Sequence, residues 1–291
     1  MSPLRIRQAI ILFFVVGPLA ATAYAMYRLW NEWIGWTELG LFFTFYLLTG
    51  LGITIGFHRM LTHRSFETGP VAKSFFLILA SMAVQGKAID WASNHLKHHA
   101  HADEEGDPHS PLEGFFHAHT GWLFSAPPAD REKYGKRFEK DPIIAFIDRT
   151  FLLWVGLGLV IPFLIGGLNG LLWGGFVRIV VVNHVTWAVN SVCHTFGDRP
   201  FDIKDESRNN WLVGLLAFGE GWHHNHHAFP AMAYHGMGWK QFDLSAIVIR
   251  TMARFKLVWN VKNPSPDLIE RRRRTDDKKP PATVTAPVSG D

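Results

Sequence analysis

Four long apolar runs, separated by polar stretches that hold most of the histidines, set the frame of this chain. They cover residues 9–30, 36–57, 143–168 and 171–190. As helices, each is long enough to cross the roughly 30 Å of hydrocarbon in a bilayer. The first run follows Arg5 and Arg7, the charged start of a signal peptide, but it is too long for one and lacks a small-residue cleavage site. Very short links join the first run to the second and the third to the fourth. The pattern therefore predicts an all-α integral membrane protein of four transmembrane helices in two hairpins, with both termini and the central polar region on one side. Arg5, Arg7, Arg59, Arg64, Lys97, Lys133 and the run 271–274 all fall on that side, so the positive-inside rule makes it cytoplasmic.

Between and after the hairpins the chain predicts a cytoplasmic helical cap, residues 58–142 and 191–263, completing a membrane-embedded domain over 1–263. Residues 71–84 read as an amphipathic helix along the interface. Stretches 103–111, 126–141 and 199–210 read as polar surface loops, and 211–218 as a short apolar helix leading into a histidine cluster. From residue 264 to 291 the chain is proline-rich and charged, which predicts a disordered tail. Arg178, near the middle of the fourth run, is expected to point inward, because a charge facing lipid is costly.

The sixteen histidines carry the candidate chemistry. One group is His58 and His63, at the end of the second run; the others are His95, His98 and His99, and His223, His226 and His227. Positions i, i+3 and i+4 share a helix face, so each triplet offers three imidazoles to one site. His58 and His63 are about 140° apart on an α-helix and need a helix end or bend between them. Asn190 and His194, four apart at the end of the last run, add an amide and another imidazole. Nine imidazoles are too many for one ion and suit two, with positions left open. Imidazole itself serves iron, copper, zinc and nickel alike. The membrane setting favours iron and O2, which attack unactivated C–H bonds as side chains alone cannot. His109 and His119 are candidates to orient ligands, and His101, His117, His184, His224 and His235 are left unassigned.

With one cysteine, Cys193, no disulfide or cysteine-ligated cluster forms within the chain. The net charge of +4 comes with no basic-aromatic module, so no nucleic-acid partner is expected. Glu220-Gly-Trp-His223 matches the Glu-x-x-His element of soluble diiron bundles, but it occurs once where those proteins need two. His-Glu-x-x-His, Gly-x-Ser-x-Gly, Walker and dinucleotide-binding signatures are missing.

From about residue 52 to 242 the chain resembles the membrane-bound acyl-CoA Δ9 (stearoyl-CoA type) fatty acid desaturases. The likeness is carried by His58-Arg-Met-Leu-Thr-His63, the segment 91–99, Asp107-Pro-His109, Asn190-Ser through His194, Arg199-Pro, and Gly219-Glu-Gly-Trp-His223 through His227-Ala-Phe-Pro. The resemblance implies two non-haem iron ions on His58, His63, His95, His98, His99, His194, His223, His226 and His227, with Asn190 reaching one ion through water. It also implies a bent acyl tunnel beside Gln85, Trp91 and Thr186, and a supporting shell that includes Asp107, His109 and His119. The implied reaction uses O2 and two electrons to place a cis double bond, at Δ9, in a saturated fatty acyl chain. Ser93 and Asn94 replace an arginine and an aspartate that hold the CoA head in the animal enzymes, and His224 stands where the family usually has asparagine. The carrier is therefore left open between CoA and a lipid. The fused cytochrome b5 domain is missing, so electrons come from a separate donor such as cytochrome b5, ferredoxin or a flavin reductase. The rival expectations are a membrane diiron fatty acyl or carotenoid hydroxylase and, from another class, a metal transporter.

Overall fold

A computed structural model of the chain describes residues 3–30 and 32–273; the remainder of the expected disordered tail, 274–291, lies outside the described residues. Helix α1 (Pro3–Arg28) is followed after a short link by helix α2 (Trp36–Leu51). Glu38 starts α2 by accepting the Gly35 N–H at 2.9 Å, which places a carboxylate at the positive end of the helix. The chain then continues to Thr62 with no break but with a change of winding, as a π-helix over Gly52–Thr62.

Two glycines one turn apart in this π segment allow a close helix crossing. A Cβ on Gly52 would lie 2.3 Å from the Ala80 backbone nitrogen, and one on Gly56 would lie 2.7 Å from the Phe76 carbonyl oxygen. Both neighbours belong to α3 (Pro70–Ser81), so the expected interfacial helix is a packed one, with Phe76, Leu77, Leu79 and Ala80 buried. Its Phe76, Leu77 and Ala80 join Ile53, Ile55 and Phe57 and, from helix α4 (Ala88–His101), Ala88, Ile89 and Ala92 in the main apolar core. That core forms the floor beneath the histidines.

Three helical runs are long and apolar enough to cross a membrane: Gln8–Arg28, Trp36–Thr62 and Phe151–His194. The third begins later than the sequence pattern suggests. Residues Pro142–Arg149 make a separate helix, capped by Asp141, which accepts the Ile143 and Ile144 N–H groups. Its Ile144 and Ile147 pack into the core, and Asp148 is buried against the Ile89 N–H at 2.9 Å, so this helix packs with α3 and α4 and is not part of the third run. The 44-residue third run is about twice what a bilayer needs, and it reverses at Gly166 and Gly167. Gly167 has φ 58 and ψ −146, a conformation open to glycine. The two legs then run back along each other, with Pro162 against Gly170 and Gly174, and Gly158 beside Arg178.

Arg178 is fully buried and does point inward. Its guanidinium donates to the carbonyls of Gly174 (3.1 Å), Met82 (2.6 Å) and Gly158 (3.0 Å), tying the end of α3 to both legs. The outward faces of these runs expose Ile10, Phe13, Phe43, Leu152, Phe163 and Leu164, as lipid-facing surfaces do.

A two-stranded antiparallel pair, Glu67–Thr68 with Val258–Trp259, fastens the C-terminal part of the cap to the entry of α3. The start of the predicted disordered tail is ordered. Residues Pro266–Arg272 form a helix capped by Ser265, and its Leu268 and Ile269 pack with Phe201 and Phe229. A proline at the first helical position and an apolar pair on one face outweigh the charged composition there.

Candidate metal centre

The site rests on four backbone elements. In the π segment the His63 N–H donates to the His58 carbonyl at 3.1 Å, an i→i+5 bond. A helix with that repeat returns to the same face after about five residues. The His58 and His63 rings therefore meet, with centroids 4.8 Å apart, through altered winding that runs up to the expected helix end, where His63 is the C-terminal cap. Helix α4 presents His95, His98 and His99 along one side. A 3-10 turn, Val192–His194, closes the last apolar leg and turns His194 inward. The short helix His223–Ala228 supplies His223, His226 and His227.

These nine imidazoles fall into two groups. His58, His63, His95, His99 and His226 form one, and His98, His194, His223 and His227 the other; in each, one atom per residue lies within 4.8 Å of all the rest. Consecutive residues are split between them, because neighbours on a helix point about 100° apart: His98 and His99 diverge, as do His226 and His227. In the five-membered group, Nε2 atoms stand 3.1 Å apart for His58 and His226, 2.9 Å for His63 and His95, 3.0 Å for His95 and His99, and 2.9 Å for His99 and His226. In the four-membered group the separations are 3.3 Å for His98 and His227 and 3.0 Å for His194 and His223.

Carboxylates behind the rings decide what those nitrogens carry. Glu220 pairs with His58 Nδ1, Asp107 with His98 Nδ1 (3.0 Å), Asp103 with His194 Nδ1 (2.8 Å) and Asp205 with His227 Nδ1 (3.0 Å). Each places the proton on Nδ1 and turns a bare Nε2 lone pair toward the cluster. Lone pairs facing each other at about 3 Å repel, and a cation among them turns the repulsion into coordination. Burial drives His63, His95, His99, His223, His226 and His227 well below the ordinary imidazole pKa, and the neighbouring imidazoles push most of them the same way. They are neutral donors at physiological pH. His98 differs: burial lowers its pKa, but the Asp107 charge and hydrogen bond raise it above the usual value. Such a donor set fits metal ions of intermediate softness.

The remaining expected residues divide. Gln85, Trp91 and Thr186 form one connected unit: Gln85 Nε2 donates to Thr186 Oγ1 (2.9 Å), and Trp91 Nε1 donates to Gln85 Oε1 (3.2 Å). Trp91 also stacks on His95, with centroids 5.2 Å apart and an interplanar angle of 21°. Asn190 sits on the last helical turn before His194, half-buried, with no side-chain hydrogen bond among the described residues. His109 packs against His98 at 4.3 Å, and burial, helped by the His98 charge, pushes its pKa down to about 3. His119 touches none of the nine; it bridges Ser191 (2.9 Å) and His184 (3.0 Å), fastening the segment His117–Gly121 to the last leg.

Sequence reasoning missed Asp103, Asp205, Glu220 and His235. Asp103 and Asp107 lie in the stretch expected to be a surface loop, and both turn inward while Glu104 and Glu105 stay exposed. Their detectable signal is the run of acidic residues within a few positions of a histidine triplet. Glu220 was visible as one half of Glu-x-x-His, yet here it backs a histidine on another element.

Membrane-length apolar helices joined to two buried, carboxylate-backed histidine clusters define a membrane-associated helical protein with a histidine-rich metal site. The fatty acid desaturase family model matches residues 31–238, and the chain belongs to that family. It is 38% identical over 283 residues to a hex-5-enoyl-[acyl-carrier protein] acetylenase from Moorena producens, covering 90% of this chain and 88% of that protein. It is 42% identical over 231 residues to an sn-1 stearoyl-lipid 9-desaturase from Anabaena variabilis (78% and 85%). Over 248 residues it is 40% identical to a chloroplastic palmitoyl-monogalactosyldiacylglycerol delta-7 desaturase from Arabidopsis thaliana (83% and 67%). The chain is accordingly a fatty acyl desaturase, an oxidoreductase of lipid metabolism.

Proposed function

We propose that this desaturase holds one iron ion in each histidine cluster and places a cis double bond, at Δ9, in a saturated acyl chain. The division of nine imidazoles into groups of five and four, with carboxylates behind four rings, is the observation that carries the reading. When bound, the iron pair with O2, two electrons and two protons supplies the oxidising power to remove two hydrogens from adjacent methylenes, giving an alkene and two waters. The chain's own part is to hold and shield. Glu220, Asp103, Asp107 and Asp205 fix the ring orientations, and the Asn190 amide would reach one ion through water. The Gln85–Thr186–Trp91 unit presses an indole against His95 and makes a rigid wall that fixes a bend in the acyl chain, selecting one carbon pair.

The carrier is an acyl-lipid. Ser93 is buried and donates to the Ile89 carbonyl (2.7 Å), and the Asn94 side chain accepts the Ala129 N–H (3.0 Å), so neither side chain offers a charged grip for a CoA head. Similar proteins include acyl-lipid as well as acyl-CoA enzymes. In this reading the third run, which folds back at Gly167, counts as two of four crossings, and the basic residues Arg59, Arg64, Lys97 and Lys133 near the clusters support a cytoplasmic side for both termini and the clusters, where an external one-electron donor such as ferredoxin or cytochrome b5 reaches them.

The test is expression in a host lacking its own desaturase, with lipid mass spectrometry and metal analysis of the purified protein. The expected result is a monounsaturated lipid two hydrogens lighter than its precursor, and about two irons per chain. A product one oxygen heavier means hydroxylation and removes the assignment.

A further inference from the structure

His235, a histidine of the metal region, has no task in the arrangement above. It is 1% exposed, and neither ring nitrogen has a hydrogen-bond partner. Buried polar groups in native proteins are nearly always paired, so a ring orphaned at both nitrogens needs a reason.

Its backbone is held on every side. The His235 N–H donates to Asp243 Oδ2 (2.9 Å), and its carbonyl accepts from Asn225 Nδ2 (2.8 Å), in the third histidine group. Two residues earlier, the Ala233 carbonyl accepts from Arg59 (2.9 Å), which also binds Asp243 and Glu220. Arg59, Asn225 and Asp243 are all buried. The loop is thus built to set this ring where it lies.

The ring packs on two members of the five-histidine cluster. Its centroid is 4.6 Å from His226 at 36° and 5.3 Å from His58 at 70°. Its Nδ1 lies 3.6 Å from Glu220 Oε2, just outside hydrogen-bond reach. That oxygen also receives His58 Nδ1, whereas Arg59 takes Oε1. Glu220 is therefore shared between a histidine of the cluster and His235.

We propose that His235 is a positioning residue for the five-histidine cluster, holding the His226 ring by stacking and sharing Glu220 with His58 so that both present Nε2 to one ion. The inference rests on the two-metal reading above. A shift of a few tenths of an ångström brings Nδ1–H onto Glu220 and pairs the orphaned nitrogen. His235 also moderates how much negative charge Glu220 directs at His58, since two donors on one oxygen divide it. The four-histidine cluster has a parallel in His109, whose ring lies 4.3 Å from His98 and whose Nδ1 lies 3.8 Å from Asp107 Oδ1, and it is further supported by Asp103 and Asp205.

The experiment is a Co2+ titration of metal-stripped, full-length protein in detergent, followed by visible absorption, on wild type, His235→Phe, His235→Gln and Asp205→Asn. Wild type is expected to take up two ions per chain, and uptake of fewer sinks the two-metal reading irrespective of the variants. In His235→Phe one of the two binding steps weakens about 10- to 100-fold, the usual cost of losing an outer ligand partner. The other step is unchanged. His235→Gln, whose amide still reaches Glu220 but cannot stack as well, weakens the same step less, and it carries the comparison should the Phe variant fail to fold. Asp205→Asn weakens the opposite step. The Co2+ band of the affected site shifts in the His235 variants while the melting temperature of the metal-free protein stays near wild type, which a merely structural residue does not produce. Titration curves and spectra for His235→Gln that coincide with wild type overturn the assignment, as does loss of the same step in the His235 and Asp205 variants.

Discussion

Asp107 grips His98 with both carboxylate oxygens, each 3.0 Å from Nδ1, from a loop that begins where the helix carrying His98 ends. The same carboxylate accepts the Asp103 N–H (2.9 Å) and the His109 N–H (3.1 Å), so it shapes the loop as well as the ring. Burial works against its charge, but the His98 contacts hold its pKa below the usual carboxylate range. Asp107→Asn keeps the shape and removes the charge that fixes the His98 tautomer. The expected outcome is a 10- to 100-fold loss of metal affinity, confined to the four-histidine cluster. Metal content after dialysis against a graded chelator measures it, and unchanged retention speaks against the role given to Asp107.

Thr186 offers the acceptor for Gln85, and Gln85 in turn holds the Trp91 indole over His95. Thr186→Val keeps the volume but leaves the Gln85 amide unpaired, at about 1–3 kcal/mol. The indole loses its brace, so the wall of the acyl channel loosens while the histidines stay in place. Activity is expected to fall roughly tenfold, equivalent to about 1.4 kcal/mol at the transition state, and the double bond to spread to neighbouring carbons. Gas chromatography with mass spectrometry of derivatised products reads both effects. A single regioisomer formed at the wild-type rate shows that the unit is ordinary packing.

Gly56 lets the second membrane run touch α3 backbone to backbone. A Cβ there lies 2.7 Å from the Phe76 carbonyl oxygen, which cannot swing aside as a side chain does. Gly56→Val is expected to cost more than the roughly 1–3 kcal/mol typical of overpacking, and to displace His58 two residues further on. The readouts are a lower yield of monodisperse protein in detergent and a lower melting temperature. Wild-type stability in this variant argues against the close crossing.

How far the sequence reveals this site depends on which physical rule sets each residue. His95, His98 and His99, like His223, His226 and His227, obey the α-helical repeat, so their convergence can be read from spacing alone. His58 and His63 meet through i→i+5 winding, which leaves no mark in the hydrophobic pattern. The carboxylates behind the rings sit in loops, where no repeat relates position to direction. That is why Asp103 and Asp205 read as solvent-facing. The apolar runs show where helices lie but not where they stop: Asp148 and Thr150 end one helix ahead of the third run, and Gly167 folds that run back on itself. Ser265 and Pro266 likewise start an ordered helix inside a stretch whose composition suggests disorder.

His224, inside the third histidine group, gives a pH dependence of known sign. Its Nδ1–H donates to the Ser207 carbonyl (2.8 Å), and its Nε2 accepts the Phe201 N–H (3.1 Å), so the folded site is built for the neutral ring. Burial pushes its pKa down to about 4, against a partial offset from the Phe201 contact. The unfolded chain takes up this proton below the ordinary histidine value of about 6.5, whereas the folded chain resists until about 4. Through that window the unfolded state binds more protons, so the contribution of His224 to stability falls with falling pH, by up to about 1.4 kcal/mol per pH unit. Other buried histidines titrate in the same range, so the informative quantity is the difference between wild type and His224→Asn. The variant is expected to lose stability less steeply between pH 6.5 and 4, the curves running parallel above pH 7. Thermal unfolding of the metal-free proteins across that range checks this, and parallel curves throughout mean that His224 carries its proton equally in both states.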